Sequence, residues 1–261
     1  MKNRIVLKTS SAIMLAAALA VPAITAQAQS VISWNVDSWS TIYGASQYAG
    51  VVSAPWWNST YHPENNGNYD PTAASVTYNN LYDNTGAATT LSVTSTSFTD
   101  WFNYVALNGG TQPADANGTY NNTLLNAYNN NNLSTVTLSS IPFAQYDLYV
   151  YFTSDTAGRA GTVSDGAASY DFSTLAQGAI HTGGNADLIQ TTDTTGANPG
   201  ADYAVFSGLT GGSQTINVAV PQWGGITGFQ IVAVPEPGTL ALAVMGGIGM
   251  LTLGRRFKAR S

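Results

Sequence analysis

The sequence predicts an all-β protein whose body, residues 29–233, forms a single β-sandwich of about eight to ten strands. Three observations lead to this fold class. Apolar and polar residues alternate with period two in eight separate segments. The body is rich in Asn, Thr, Ser, Gly and Tyr and poor in Lys and Glu, which favours strands and turns over long helices. Gly, Asn or Pro residues bound the segments, as expected of turns.

The alternating segments are, in chain order, VISWNV, ASVTY, TTLSVTS, STVTLSS, YDLYVYF, DYAVF, QTINVAV and GFQIVAV. In the first, Ile32, Trp34 and Val36 share one face, so Trp34 is expected in the core. In YDLYVYF the aliphatic face is expected in the core. The opposite face, with Tyr149 and Tyr151, is then either a second packed layer or an exposed aromatic strip.

Three further features organise the body. The last two alternating segments are separated by PQWGGIT, which predicts a hairpin that closes the sandwich. NNTLLNAY, residues 121–128, indicates a helix, and a short one. No internal repeat or linker divides residues 29–233, so a single domain is predicted.

The first 28 residues have the features of a secretory signal peptide. Lys2, Arg4 and Lys8 form a positive start, residues 12–24 are nearly all apolar, and a small-x-small cleavage triplet ends at Ala28. We therefore expect the chain to pass the secretory translocon, to be cut by signal peptidase and to be exported.

The body is strongly acidic. Between residues 29 and 234 it holds thirteen acidic residues and one basic residue, Arg159, for a formal charge of −12. Such a surface repels phosphate backbones and anionic headgroups, so nucleic-acid binding is excluded. The chain has no cysteine, which also excludes disulfides, thiolate nucleophiles and cysteine-ligated metals.

The last 28 residues, 234–261, begin with a proline-rich stretch that contains Pro235, Glu236 and Pro237. The two prolines disfavour helix, so this stretch is expected to be extended and accessible to a protease. Residues 239–253 are uncharged and mostly apolar. As a helix they span about 23 Å, which is short for a hydrocarbon core of about 30 Å, so insertion requires local thinning of the bilayer.

A basic tail, residues 255–260, follows the apolar span and starts with Arg255 and Arg256. By the positive-inside rule this end stays in the cytoplasm and the body lies outside. The order of Pro-Glu-Pro, span and basic end resembles the PEP-CTERM sorting signal of exported proteins in Gram-negative bacteria that make extracellular polysaccharide. The resemblance implies that an exosortase, a membrane cysteine protease-transpeptidase, processes the chain near the Pro-Glu-Pro motif.

Five pieces of the body resemble secreted β-sandwich modules that often precede such tails. They are YAGVVSAPWWNSTY, NNLYDNTGAATTLSVT, NTLLNAY, YDLYVYF and GGITGFQIV. Those modules are similar to galactose-binding-like jelly rolls, so the resemblance implies a jelly-roll-like sandwich.

Trp56, Trp57, Tyr61 and Trp101 are the candidate ligand-binding residues. Aromatic faces stack on the C–H faces of pyranose rings, and aromatic residues in loops are candidates for that contact. Adjacent Trp56 and Trp57 in an extended segment point in opposite directions, so one of them is expected to be buried. The alternative is that these rings only fill the core.

The sequence predicts no catalytic residue and no cofactor. Glu64 is the only Glu of the body, His62 and His181 lack the spacing of a metal-ligand pair, and no Gly-x-Ser-x-Gly turn occurs. Oxygen-rich loops at residues 65–71 and 155–165 could hold Ca²⁺, with ordinary Asx-rich turns as the alternative.

The sequence therefore predicts an exported, non-catalytic protein of the cell surface or extracellular matrix, sorted through its tail. Extracellular polysaccharide is the candidate ligand. Two alternatives stay open, because a fold does not determine a function. One is a carbohydrate-active hydrolase on a β-sandwich, and the other is a purely structural matrix component.

Overall fold

A computed structural model describes residues 29–37, 45–61, 75–96, 100–102, 118–130, 132–175, 188–221 and 223–235. The signal peptide, Glu236, Pro237, the apolar span and the basic tail with Arg255 and Arg256 lie outside the described residues. The predictions made for them therefore stay predictions. In the described part of the chain, no helix is long and apolar enough to cross a membrane.

The described residues form fourteen strands and one short helix. The strands are β1 (Val31–Asp37), β2 (Asn58–Tyr61), β3 (Ser75–Tyr78), β4 (Ser92–Thr96), β5 (Asp100–Phe102), β6 (Ala127–Asn129), β7 (Ser134–Ser139), β8 (Gln145–Ser154), β9 (Ala160–Ser164), β10 (Ser169–Thr174), β11 (Gly200–Ala201), β12 (Tyr203–Thr210), β13 (Ser213–Ala219) and β14 (Gly224–Ala233). The helix is α1 (Asn121–Leu124), within the segment where a short helix is predicted.

Each of the eight alternating segments contains a strand. Nine strands have five or more residues. The remaining five have two to four residues, so the total exceeds the prediction. Alternation did not single out β9, because an inward position of that strand is Gly161, which has no side chain to mark the apolar face.

The strands form two large sheets and a separate pair. One sheet has five strands in the order β12-β8-β14-β1-β2, and the other has seven in the order β11-β10-β9-β13-β7-β4-β3. β5 and β6 make the pair. A single apolar cluster draws side chains from both large sheets. Across it, Phe152 of β8 stacks on Phe172 of β10 with ring centroids 3.7 Å apart. This confirms the predicted all-β sandwich.

The core positions follow the predicted register. Trp34 is 1% exposed and stacks on Phe229 at 5.4 Å. Tyr151, on the opposite face of the five-stranded sheet, has no exposed surface and packs in a second apolar cluster with Trp57 and Leu124. The tyrosine face of β8 is therefore a second packed layer, which was one of the two predicted alternatives.

The predicted closing hairpin is wrong. β13 pairs with β7 and β9 in the seven-stranded sheet, whereas β14 pairs with β8 and β1 in the five-stranded sheet. Each strand has an apolar face, and the two faces meet the core from opposite sides. The turn between them is tight, because a Cβ on Gly224 would lie 2.6 Å from Cγ1 of Val220.

Both ends of the described body leave the sandwich side by side. The Ala233 amide donates to the Ser30 carbonyl at 2.9 Å, and Gln29 Nε2 donates to the Ala233 carbonyl at 2.9 Å. The Val234 amide then donates to the Gln145 carbonyl, and Pro235 is exposed. The regular sheet therefore ends directly before the proline-rich stretch.

Candidate functional site

The two adjacent tryptophans have opposite environments, as predicted. Trp57 is 4% exposed, its indole N–H donates to the Ala54 carbonyl at 3.0 Å, and its ring lies 6.1 Å from Tyr151. Trp56 is 37% exposed. Because Trp57 belongs to the packed outer layer, it cannot present a face to a ligand in this structure.

The backbones of the other two candidates lie in strands, and their side chains are outside the described part. Tyr61 pairs with Asp37 at the end of the parallel β1 and β2 ladder. Trp101 pairs with Tyr128 in the two-stranded β5 and β6 sheet. Tyr61 and Trp101 therefore remain candidates from sequence.

The Trp56 indole lies with one face on Gly86. A Cβ built on Gly86 would be 3.1 Å from Cε2, 3.3 Å from Cζ2 and 3.4 Å from Cδ2 of the ring. Cε2 is bonded to three ring atoms, which surround it within the ring plane. An atom whose nearest ring neighbour is Cε2 must therefore lie above or below that plane. Gly86 also has φ +82°, so only glycine combines this turn with this contact. The indole is thus supported from beneath.

Trp56 itself has φ +58°, a left-handed backbone that is rare for a bulky residue. Such outliers persist only when their surroundings determine them, and they occur frequently at functional sites. Here the neighbours on both sides are fixed. Trp57 is buried and Asn58 pairs with Trp34 in β2.

The backbone of Tyr82 is held by the side chain of Asn58. The Asn58 side-chain amide donates to the Tyr82 carbonyl at 2.8 Å, and its Oδ1 accepts from the Tyr82 amide at 2.8 Å. The same Nδ2 also donates to the Ser33 carbonyl of β1. Tyr82 is 53% exposed. The Asn58 side chain thereby fixes the backbone of the exposed Tyr82 relative to β2.

Asp83 organises the turn that carries Gly86. Its Oδ1 accepts from the Thr85 amide at 2.9 Å, the Thr85 hydroxyl at 2.6 Å and the Ala87 amide at 3.1 Å. Partial burial alone would raise the pKa of Asp83, but these hydrogen bonds outweigh it and lower the pKa. Asp83 is therefore a carboxylate at neutral pH. Its Oδ2 accepts no hydrogen bond from the described residues.

The same turn occurs a second time in the chain, at Asp193. Asp193 Oδ1 accepts from the amide and hydroxyl of Thr195 at the same distances, 2.9 and 2.6 Å, and Gly196 has φ +80°. Two differences separate the copies. Oδ2 of Asp193 is occupied by the Asn198 amide, and no atom lies within 4 Å of a Cβ on Gly196. Only the Asp83 turn carries an indole and an open carboxylate oxygen.

We call Trp56, Tyr82 and Asp83, with the supporting Gly86, the Trp56 surface. Sequence reasoning found Trp56 and missed the other three residues. The signal was present, because Asp-Asn-Thr-Gly is a turn sequence with an Asx residue first and a glycine last. The sequence could not show that Gly86 contacts Trp56, because the two residues are 30 positions apart.

Exposed apolar residues also lie at the opposite end of the sandwich. Trp223 is 53% exposed with φ +59°, and Leu133 is 54% exposed. The outer face of the seven-stranded sheet nearby has a shallow depression of about 220 Å³. It is lined by Ala160, Gly161, Thr162, Asn198, Ala219 and Pro221. This lining has no aromatic ring, and the Asn198 amide already donates to the Gly196 carbonyl.

The described residues contain no group of three or more His, Cys, Asp and Glu side chains that could hold a metal. Residues 155–165 are not one loop, because β9 covers Ala160–Ser164. Asp155 pairs with Arg159 at 2.8 Å. Asp165 Oδ1 accepts the amides of Ala167 and Ala168 in an Asx turn. Both carboxylates are thus engaged within the protein. The other candidate Ca²⁺ loop, residues 65–71, lies outside the described part.

The structure is therefore an all-β sandwich with an exposed aromatic residue, Trp56, supported by a glycine. Comparison of the chain with models of known families, with curated proteins and with solved structures found no match.

Proposed function

We propose that this chain is an exported, non-catalytic protein of the cell surface or extracellular matrix that binds polysaccharide through the Trp56 surface. Its tail directs sorting by an exosortase-type enzyme after export through the secretory translocon.

The observation that carries the binding proposal is the indole lying flat on Gly86. With one face resting on the turn, the exposed surface of the ring is its other face, which is the geometry for stacking on a pyranose. Gly86 supports the Trp56 ring, and the buried Trp57 fixes the chain beside it, so the ring is preorganised, which lowers the entropy lost on binding.

The way the chain leaves the fold supports the sorting proposal. Gln29 and Ser30 form hydrogen bonds with Ala233, so the described residues that come next to the two predicted processing points lie side by side. The strand β14 is complete at Ala233, and Pro235 is exposed. A protease can therefore cut near the Pro-Glu-Pro motif without removing a strand from either sheet.

The finer fold type, a jelly-roll-like sandwich, is part of the same proposal. The last strands support it, because β11, β12, β13 and β14 alternate between the seven-stranded and the five-stranded sheet. Connections that cross between two packed sheets are typical of jelly rolls. Main-chain NOE contacts between neighbouring strands test this strand order.

Binding is tested with the exported protein on an array of polysaccharides from extracellular matrices. We expect Trp56→Ala to weaken binding by about fivefold or more, since stacking on an aromatic ring contributes on the order of 1 kcal/mol. Trp223→Ala is the matched control, because Trp223 is also exposed and also has a left-handed backbone. It should bind like the parent. Circular dichroism and urea unfolding check that both variants fold.

Absence of binding to every glycan contradicts the binding proposal and leaves a purely structural role. Equal loss in Trp56→Ala and Trp223→Ala contradicts the assignment to the Trp56 surface. Release of reducing ends from a bound polysaccharide contradicts the non-catalytic part. For the tail, the intact mass of the exported protein decides: a C-terminus near residues 235–237 supports processing, and one at Ser261 contradicts it.

A further inference from the structure

We infer that the Trp56 surface selects neutral or amino-sugar polysaccharides and rejects uronate-containing ones, with Oδ2 of Asp83 as the hydrogen-bond acceptor that anchors the sugar. This inference rests on the proposed polysaccharide binding and adds the chemical class of the ligand.

The anchor is the open oxygen of Asp83. Its Oδ1 accepts three hydrogen bonds from Thr85 and Ala87, which fix the carboxylate in the turn whose Gly86 contacts the Trp56 ring. Its Oδ2 accepts nothing from the described residues. A carboxylate oxygen held in this way accepts a hydroxyl, and it accepts a protonated amine more strongly, because charge-assisted hydrogen bonds are the stronger kind.

The second Asp-x-Thr-Gly turn shows which part of this arrangement is structural. Asp193 makes the same two bonds to Thr195, and its Oδ2 is used by the Asn198 amide to close the following loop. The turn therefore forms without a ligand at either place. In the Asp83 turn, the corresponding oxygen, Oδ2, has no such bond and is open to a partner from outside the turn.

No basic side chain of the body is near enough to offset the charge of a bound uronate. Arg159 is the single basic residue between residues 29 and 234, and it is paired with Asp155 at 2.8 Å. Strand β14 gives the distance between the two carboxylates. Asp155 lies next to Ser154, which pairs with Gly224 of β14. Asp83 pairs with Ile32, which pairs with Ile231 of β14. Along the strands these two levels are about 20 Å apart at about 3.3 Å per residue.

That separation exceeds the screening length of about 8 Å at physiological ionic strength, so Arg159 cannot attract a carboxylate at the Trp56 surface. A uronate stacked on Trp56 would instead meet the carboxylate of Asp83 and the field of a body with a formal charge of −12. Juxtaposed like charges oppose binding strongly enough to set specificity. A neutral or amino sugar meets no such opposition.

The experiment compares three probes on the exported protein: mannan, chitosan oligosaccharides and polygalacturonate. We expect the parent to bind mannan or chitosan at least about tenfold more tightly than polygalacturonate, and only chitosan binding to weaken with salt. Asp83→Asn keeps an acceptor for Thr85 and Ala87 but removes the charge. Asp83→Asn should weaken chitosan binding and reduce the ratio between the affinities for chitosan and polygalacturonate. Asp193→Asn, in the matched turn, should change neither.

The outcomes separate this inference from the proposed function. If polygalacturonate binds as tightly as mannan and Trp56→Ala abolishes both, the polysaccharide-binding proposal stands and the inferred selectivity is wrong. If Asp83→Asn and Asp193→Asn act alike, Asp83 is not the anchor. If none of the three probes binds and no other glycan does, the proposed function fails and the inference fails with it.

Discussion

The hydroxyl of Tyr151 donates a hydrogen bond to Oε1 of Gln230 across 2.5 Å, and neither side chain has any exposed surface. The same hydroxyl accepts from the Val51 amide at 2.8 Å, and Gln230 Nε2 donates to the Val52 carbonyl at 2.8 Å. Gln230 Nε2 also reaches Ser33 Oγ at 3.1 Å. This buried network fastens the loop that precedes Trp56 to the outer face of the five-stranded sheet.

Tyr151→Phe is expected to lower the free energy of unfolding by about 1–3 kcal/mol, because it leaves the buried Gln230 Oε1 and the partly buried Val51 amide without this partner. Urea unfolding measures the change. Tyr146→Phe is the control, since the Tyr146 hydroxyl is buried with no hydrogen-bond partner among the described residues. Its removal should leave stability unchanged or raised. Equal losses in the two variants would mean that the network does not stabilise the fold.

Gly50→Ala should destabilise the protein more than Gly166→Ala. Both glycines have left-handed φ, +88° and +89°, so the backbone strain introduced by alanine is shared. A Cβ on Gly50 would lie 2.8 Å from Gln230 Nε2 and closer still to Oε1, whereas a Cβ on Gly166 meets nothing within 4 Å. The overlap is expected to add about 1–3 kcal/mol to the loss. Parallel urea titrations compare the two, and similar midpoints would contradict the close approach of the loop.

Gly86→Ala and Gly196→Ala compare the two Asp-x-Thr-Gly turns directly. Their φ values are +82° and +80°, so left-handed strain of about 1–2 kcal/mol applies to both. Only the Gly86 variant also has to displace the Trp56 ring. We therefore expect it to lose more stability and, where binding is measured, more affinity than the Gly196 variant. A larger loss in Gly196→Ala would argue against the indole resting on the turn.

Asp202 should make the protein less stable as the pH rises from about 4 to about 7. It is 1% exposed, its Oδ2 accepts the Ile189 amide at 2.8 Å, and burial raises its pKa to about 7. Below about pH 4 the carboxyl is protonated in both states, so its full contribution is present. Between the two pKa values the unfolded chain ionises while the folded chain does not, and the free energy of unfolding falls.

The loss between pH 5 and pH 8 is expected to be about 2–3 kcal/mol, and Asp202→Asn should remove most of it. Urea unfolding of both proteins at the two pH values measures this. Carboxylates with lowered pKa, such as Asp83, are already ionised in both states at pH 5, so they cancel in the comparison. The same pH dependence in parent and variant would show that another group is responsible.

The sequence could predict features that depend on neighbouring residues. Alternation located β1, β8 and β14 and put Trp34 in the core, because strand geometry sends successive side chains to opposite faces. The same rule predicted that one of Trp56 and Trp57 is buried. That outcome is observed, but its cause differs, because the left-handed backbone of Trp56 means that this segment is not extended. Alternation could not assign β13 and β14 to sheets. A strand with one apolar face has the same sequence pattern in either sheet, because both sheets turn their apolar faces to the shared core.

Sequence alone predicted the all-β class, a body with thirteen acidic residues and one basic residue, and four candidate aromatic residues, Trp56, Trp57, Tyr61 and Trp101. Only the tertiary structure decided that Trp57 is buried, that Gly86 lies beneath the Trp56 ring and that Asp83 keeps an open oxygen where Asp193 does not. Periodicity, composition and charge are properties of adjacent residues or of the whole chain. Contacts such as Trp56 with Gly86 or Tyr151 with Gln230 join distant segments, and they exist only once the two sheets have packed.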